Sequence, residues 1–213
     1  ISGTALEQME MYRPDVLRSF QDLAATGCVE FLSETYYHSL SFLYSKGEFI
    51  RQVGMHKEKI EELFHQTPTV FRNTELIYNN EIADFVSSLG FKGIACEGLD
   101  HILGYKSANF LYHPPHNNNI VCLLKNYKLS DDIAFRFSNK DWKEWPLTAP
   151  KFAHWVHQTA GNGETINLFM DYETFGEHQW PETGIFDFLS HLPQEIFKHR
   201  DFDGRMQKRG FIA

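Results

Sequence analysis

The chain has 213 residues, 42% of them apolar and 23% charged, a balance that excludes a disordered, collagen-like or coiled-coil chain. Its formal charge is −8, from 28 acidic and 20 basic residues. That disfavours nucleic acid and anionic membrane as partners, since both ask for a basic footprint. No apolar run approaches the roughly 18 residues of a membrane span. Cys28, Cys96 and Cys122 each sit in an apolar stretch and read as buried thiols. With no paired spacing and no visible leader, they point to a reducing, cytoplasmic compartment.

In chain order, residues 5–25 carry apolar side chains at helical spacing, broken near Pro14 and stopped at Thr26-Gly27. Residues 28–32 read as a short buried strand. Residues 46–65 form an amphipathic helix with Phe49, Ile50, Val53, Ile60, Leu63 and Phe64 on its apolar side. A strand follows at 69–72, then a helical stretch from Asn73-Thr74-Glu75 to Leu89, ended by Gly90. Residues 91–96 are a strand, 104–119 a loop, 120–126 a strand and 148–159 a helix. Gly161-Asn162-Gly163 is a turn, 165–170 a strand and 183–191 a helix. Short apolar strands separated by helices define βα units around a parallel sheet.

In such folds the reactive side chains stand at the C-terminal ends of the strands. Five strand ends here carry acids: Glu30 and Glu34, Glu75, Glu97, Asp131 with Asp132, and Asp171 with Glu173. Two facing carboxylates suit glycoside chemistry, in which one attacks the anomeric carbon and the other protonates the leaving oxygen. An acid after a strand equally caps the next helix. A metal-dependent hydrolase is a rival reading of clustered acids and histidines, although no HxH or HExxH motif is present.

Four segments carry a resemblance. GCVEFLSETYYHSL (27–40), TVFRNTELIYNNEI (69–82), NYKLSDDIAFRFS (126–138) and LFMDYETFGEH (168–178), in this order, resemble glycoside hydrolase family 57. The resemblance implies an α/β fold, an incomplete (β/α)7 barrel over about 1–195; residues 196–213 are a charged tail that the resemblance does not cover. It implies a retaining glycosidase or 4-α-glucanotransferase acting on α-1,4-glucans, with no cofactor and no catalytic metal. On the family pattern Glu75 is the matched nucleophile and Asp171, opening Asp171-Tyr172-Glu173-Thr174-Phe175-Gly176, the matched proton donor. Glu30 and His38 match the region that holds sugar hydroxyls.

Arg72, Asp131, Glu173 and Trp180 complete the candidate substrate-binding set. Arg72 precedes Glu75 by three residues and can pair with a nearby carboxylate. Trp180, just past the motif, suits stacking on a glucose ring, whereas Trp155 has the spacing of a core residue. Glu97 also ends a strand and reads either as a residue supporting the site from behind or as the nucleophile in place of Glu75. The family's opening His-Gln-Pro strand has no match here, and the chain starts Ile1-Ser2-Gly3. The expectation is a barrel whose first strand precedes Ile1, with an open edge where that strand belongs. Two other readings share these residues. One is a glucan-binding relative without turnover, the other a metal-dependent carbohydrate hydrolase or deacetylase on a similar barrel.

Overall fold

The computed structural model describes residues 1–198. The expected charged tail therefore lies outside the described residues from position 199 onward. The described part is α/β with a parallel sheet, and it divides into two compact units. One holds residues 1–96 with 112–123, the other 97–111 with 124–198.

The first unit opens with α1 (Gly3–Tyr12) and α2 (Pro14–Ala25). Ser2 accepts a hydrogen bond from the Ala5 amide and caps α1. Pro14 stands at the first position of α2, where its missing N–H costs nothing, so the long helical pattern splits in two. The helix α3 (Lys46–Phe64) starts on Ser45, which accepts from the Glu48 amide, and ends on His65 in the left-handed conformation. Its buried face takes Phe49, Val53, Ile60, Leu63 and Phe64 as expected. Ile50 does not belong to that face: it is 46% exposed, and Gln52 and His56 are buried instead. Leu6, Leu17, Ile60 and a stacked Phe31–Phe64 pair fill one core. Phe42, Phe49, Phe71, Phe85 and Phe91 form a second, ring-on-ring cluster.

The strand β1 (Val70–Arg72) pairs in parallel with β2 (Gly93–Glu97), Phe71 opposite Ile94. Between them runs α4 (Asn80–Ser88). After α5 (Asp100–Leu103) comes β3 (Val121–Lys125), and the strand order is β1-β2-β3. Adjacent parallel strands joined through helices are the connection expected of βα units.

Two expected strands are reduced to single bridges. At 28–32 the chain is irregular, and only Ser33 pairs with Phe71. The reason is Gln66, whose side chain accepts from the Phe31 amide and donates to the Val29 carbonyl, taking the place of a neighbouring strand. At 165–170 only Asn167 pairs, with Lys125. There Asn167 donates its side-chain N–H to the Leu124 carbonyl, and the Phe169 amide donates to the Ser130 hydroxyl, so side chains again replace ladder bonds.

Three further expectations change. The helix expected from Asn73 starts only at Asn80, because Asn79 accepts from the Ile82 amide and caps it there. Asp131 and Asp132, expected at a strand end, lie on the helix that follows it, α6 (Tyr127–Ala134), capped by Asn126. Cys28 is exposed, while Cys96 and Cys122 are buried.

In the second unit α7 (Ala149–His157) and α8 (Ile185–Phe197) pack on each other. Phe152, Ile185, Phe188 and Leu192 form its centre with Phe137 and Ile133, and Trp155 packs against it. Each such side chain contributes about 1.5–3 kcal/mol through burial. Among the described residues, no helix is long and apolar enough to cross a membrane.

Candidate active site

In the first unit, β1 delivers the chain from Arg72 into Asn73 and a single tight turn, Thr74–Leu76. Within it Glu75 adopts φ 54°, ψ 26°, and Leu76 has φ 52°. An L-residue enters this left-handed region rarely and at a cost, so the surroundings must impose it. They do. Asn73 is buried and donates its side-chain N–H to the Ile77 carbonyl across the turn, 2.9 Å away. Thr74, also buried, donates to the Ser39 carbonyl at 2.9 Å and lies 3.2 Å from the Thr35 hydroxyl. Thr35 in turn accepts from the Ser39 amide at 2.8 Å. The Glu75 turn is thus stitched to residues 35–39.

That second segment carries His38, also left-handed at φ 51°. Its Nδ1 lies 2.9 Å from Glu34 Oε2 and its Nε2 lies 3.2 Å from Glu75 Oε1. The three side chains form one line, from a Glu34 carboxylate only 7% exposed to a Glu75 carboxylate 73% exposed. Burial pushes the Glu34 carboxyl up. The His38 hydrogen bond and the neighbouring His56 and Arg72 pull it down.

Sequence reasoning named Glu30, His38, Arg72 and Glu75 here. The structure brings His38 and Glu75 together. Glu30 goes elsewhere and accepts a hydrogen bond from the Thr69 hydroxyl. Arg72, the nearby cation, acts on Glu34. From the sequence alone Glu34 reads only as a strand-end acid. Its four-residue separation from His38 was the available signal, but outside a helix such spacing does not announce a contact.

In the second unit, Asp171 precedes a one-turn segment, Tyr172–Thr174, and its carbonyl accepts from the Thr174 amide at 3.0 Å. Thr174 is buried, while Asp171 and Glu173 are exposed. The Glu173 carbonyl accepts from the amides of Glu177 and His178. Gln179 is buried and donates to the Ala134 carbonyl, anchoring the far end of the motif on α6. Trp180 follows and is 62% exposed. Asp131 is half-buried on α6 and 3.9 Å from Lys125, whose ammonium also lies 3.5 Å from Glu97. Among the described residues, no three His, Cys, Asp or Glu side chains are grouped to hold a metal ion.

Together these features define an α/β protein of parallel βα units with exposed carboxylates after its strands. The comparisons with known proteins are specific about which. Residues 1–207 match the sequence profile of Glycosyl hydrolase family 57, and the chain belongs to that family. It is 52% identical over 221 residues to a Methanocaldococcus jannaschii protein named "Putative alpha-amylase", of which it spans 46%. Its fold matches all of this chain to 32% of 4-alpha-glucanotransferase from Thermococcus litoralis, with TM-score 0.71 and 17% identity. It matches 97% of this chain to 54% of the alpha-amylase AmyC from Thermotoga maritima, with TM-score 0.61 and 11% identity. The fold is that of (β/α)7-barrel enzymes, and the chain covers a fragment of it. It spans about half the length, or less, of these relatives.

Proposed function

We propose that this chain is part of the catalytic domain of a retaining glycosidase or glucanotransferase acting on α-1,4-glucans. Glu75 attacks C1 of the glucosyl unit and forms a glycosyl-enzyme. Asp171 protonates the departing glycosidic oxygen, then takes the proton of the incoming water or sugar hydroxyl. Retention requires these carboxyl groups about 5–5.5 Å apart. Glu30, His38, Arg72, Asp131 and Glu173 serve as sugar-binding or supporting groups, and Trp180 stacks on a glucose face.

The observation that carries this reading is Glu75. An exposed carboxylate in a left-handed turn, braced by a histidine, is a group held in place at a cost in stability. Helix capping does not explain it, since the following helix is capped by Asn79. Family membership supplies the chemistry that such a carboxylate serves.

The test is product analysis on maltoheptaose with the intact protein. Wild type is expected to hydrolyse it or to transfer part of it with the anomeric configuration retained. Glu75→Gln and Asp171→Asn are each expected to lose at least 10³-fold in kcat, on the order of what removing an essential group costs. Binding of maltoheptaose without turnover, unchanged by Glu75→Gln, would refute the assignment. Activity lost to a chelator and restored by a divalent cation would replace it with metal-dependent hydrolysis.

A further inference from the structure

Glu34 has no place in the two-carboxylate chemistry, yet it is the most deeply buried acid of the Glu34–His38–Glu75 line. A buried carboxylate persists only where partners repay its desolvation. Its Oε2 lies 2.9 Å from His38 Nδ1, closer than the 3.2 Å between His38 Nε2 and Glu75. We propose that Glu34 is a positioning residue, acting through His38 to hold the Glu75 carboxylate in its left-handed turn. This rests on the reading of Glu75 as nucleophile.

The hydrogen-bond inventory supports the assignment. A carboxylate only accepts, so His38 presents Nδ1–H to Glu34. That bond fixes the ring's orientation, as the buried carboxylate of a hydrolytic triad fixes its histidine. Nε2 lies 3.2 Å from Glu75 Oε1, and with a proton on that nitrogen it donates to Oε1 and steers the other oxygen toward the anomeric carbon. The backbone agrees: His38 and Glu75 are both left-handed, and the Thr35–Thr74–Ser39 hydrogen bonds lock the two turns together. Two strained turns joined by a hydrogen-bonded side-chain line are the arrangement of a preorganised group, whereas a merely structural hydrogen bond needs neither.

The experiment has two arms on the intact protein. In the first, NMR follows the His38 ring N–H, assigned by its loss in His38→Ala. A slowly exchanging Nδ1–H signal is expected in wild type and in Glu75→Gln, and it disappears in Glu34→Ala. In the second, kcat and KM on maltoheptaose are measured for Glu34→Gln, His38→Ala and the double variant. Glu34→Gln is expected to lower kcat up to about 10²-fold with KM within about twofold, the mark of a misplaced reacting group. The double variant should be no slower than His38→Ala, because Glu34 acts through that ring. A ring signal that survives Glu34→Ala, or single effects that multiply in the double variant, overturns the proposal. If the signal behaves as expected but wild type does not turn over maltoheptaose, the positioning contact stands and the glycosidase reading falls.

Discussion

Thr74→Val removes a hydroxyl and keeps the shape, so it isolates what the Thr74 hydrogen bond does. Thr74 donates to the Ser39 carbonyl at 2.9 Å, a carbonyl that the Thr35 hydroxyl also reaches at 3.2 Å. The substitution removes the Thr74 hydrogen bond, worth about 1 kcal/mol net. Both threonines are buried, so water does not replace the partner. The expected destabilisation is therefore about 1 kcal/mol, read as a lower urea midpoint at unchanged m-value. The same bond fixes the Glu75 turn against the segment carrying His38. A shift of about 1 Å in a reacting group costs up to about 10²-fold in rate. Maltoheptaose turnover should fall in kcat by about 10–100-fold with little change in KM. A stability loss below about 0.5 kcal/mol together with unchanged kcat would refute the idea that this hydroxyl joins the two turns.

Two other outcomes are expected. His56 is fully buried, and burial pushes its pKa below the ordinary histidine value. Above about pH 6.5 both folded and unfolded chains hold it neutral, and its contribution to stability is complete. Below that pH the unfolded chain takes up the proton first, so stability falls as the solution is acidified. The difference in urea midpoint between wild type and His56→Leu, followed from pH 8 to about pH 5, should change in that direction only, and a flat difference would contradict it. Thiol titration should find Cys28 reactive in the native protein, with Cys96 and Cys122 reacting only on unfolding. Modification of all three at one rate would show that the buried pair is open.

The helices were legible because their ends are written locally. Ser45 with Glu48 starts α3, Pro14 divides α1 from α2, and Thr148 starts α7 by accepting from the Lys151 amide. The central strands were legible as short apolar runs. The outer rows at 28–32 and 165–170 have the same composition, but whether they become strands depends on distant side chains. Gln66 is 35 residues from Phe31, and Asn167 is 43 residues from Leu124. No periodicity records such a partnership. The candidate site divides in the same way. Glu75 and Asp171 stood out through motif order. The link from His38 to Glu75 spans 37 residues, and burial of Glu34 in preference to Glu30 follows from packing. Exposure of Cys28 was likewise illegible, because its apolar neighbours Val29 and Phe31 turn inward without it.

The left-handed backbone at positions 38, 75 and 76 bears on how this sequence tolerates change. In a saturation library scored only for folding, glycine and asparagine should outcompete the natural residues at 38 and 75, while valine, isoleucine and threonine are purged. Scored for glucan turnover, the same library should reverse that ranking at both positions. At Leu76, which has the same backbone and no charge to contribute, the two rankings should agree. The three neighbouring scores would then separate selection for catalysis from selection for shape without any assay of mechanism.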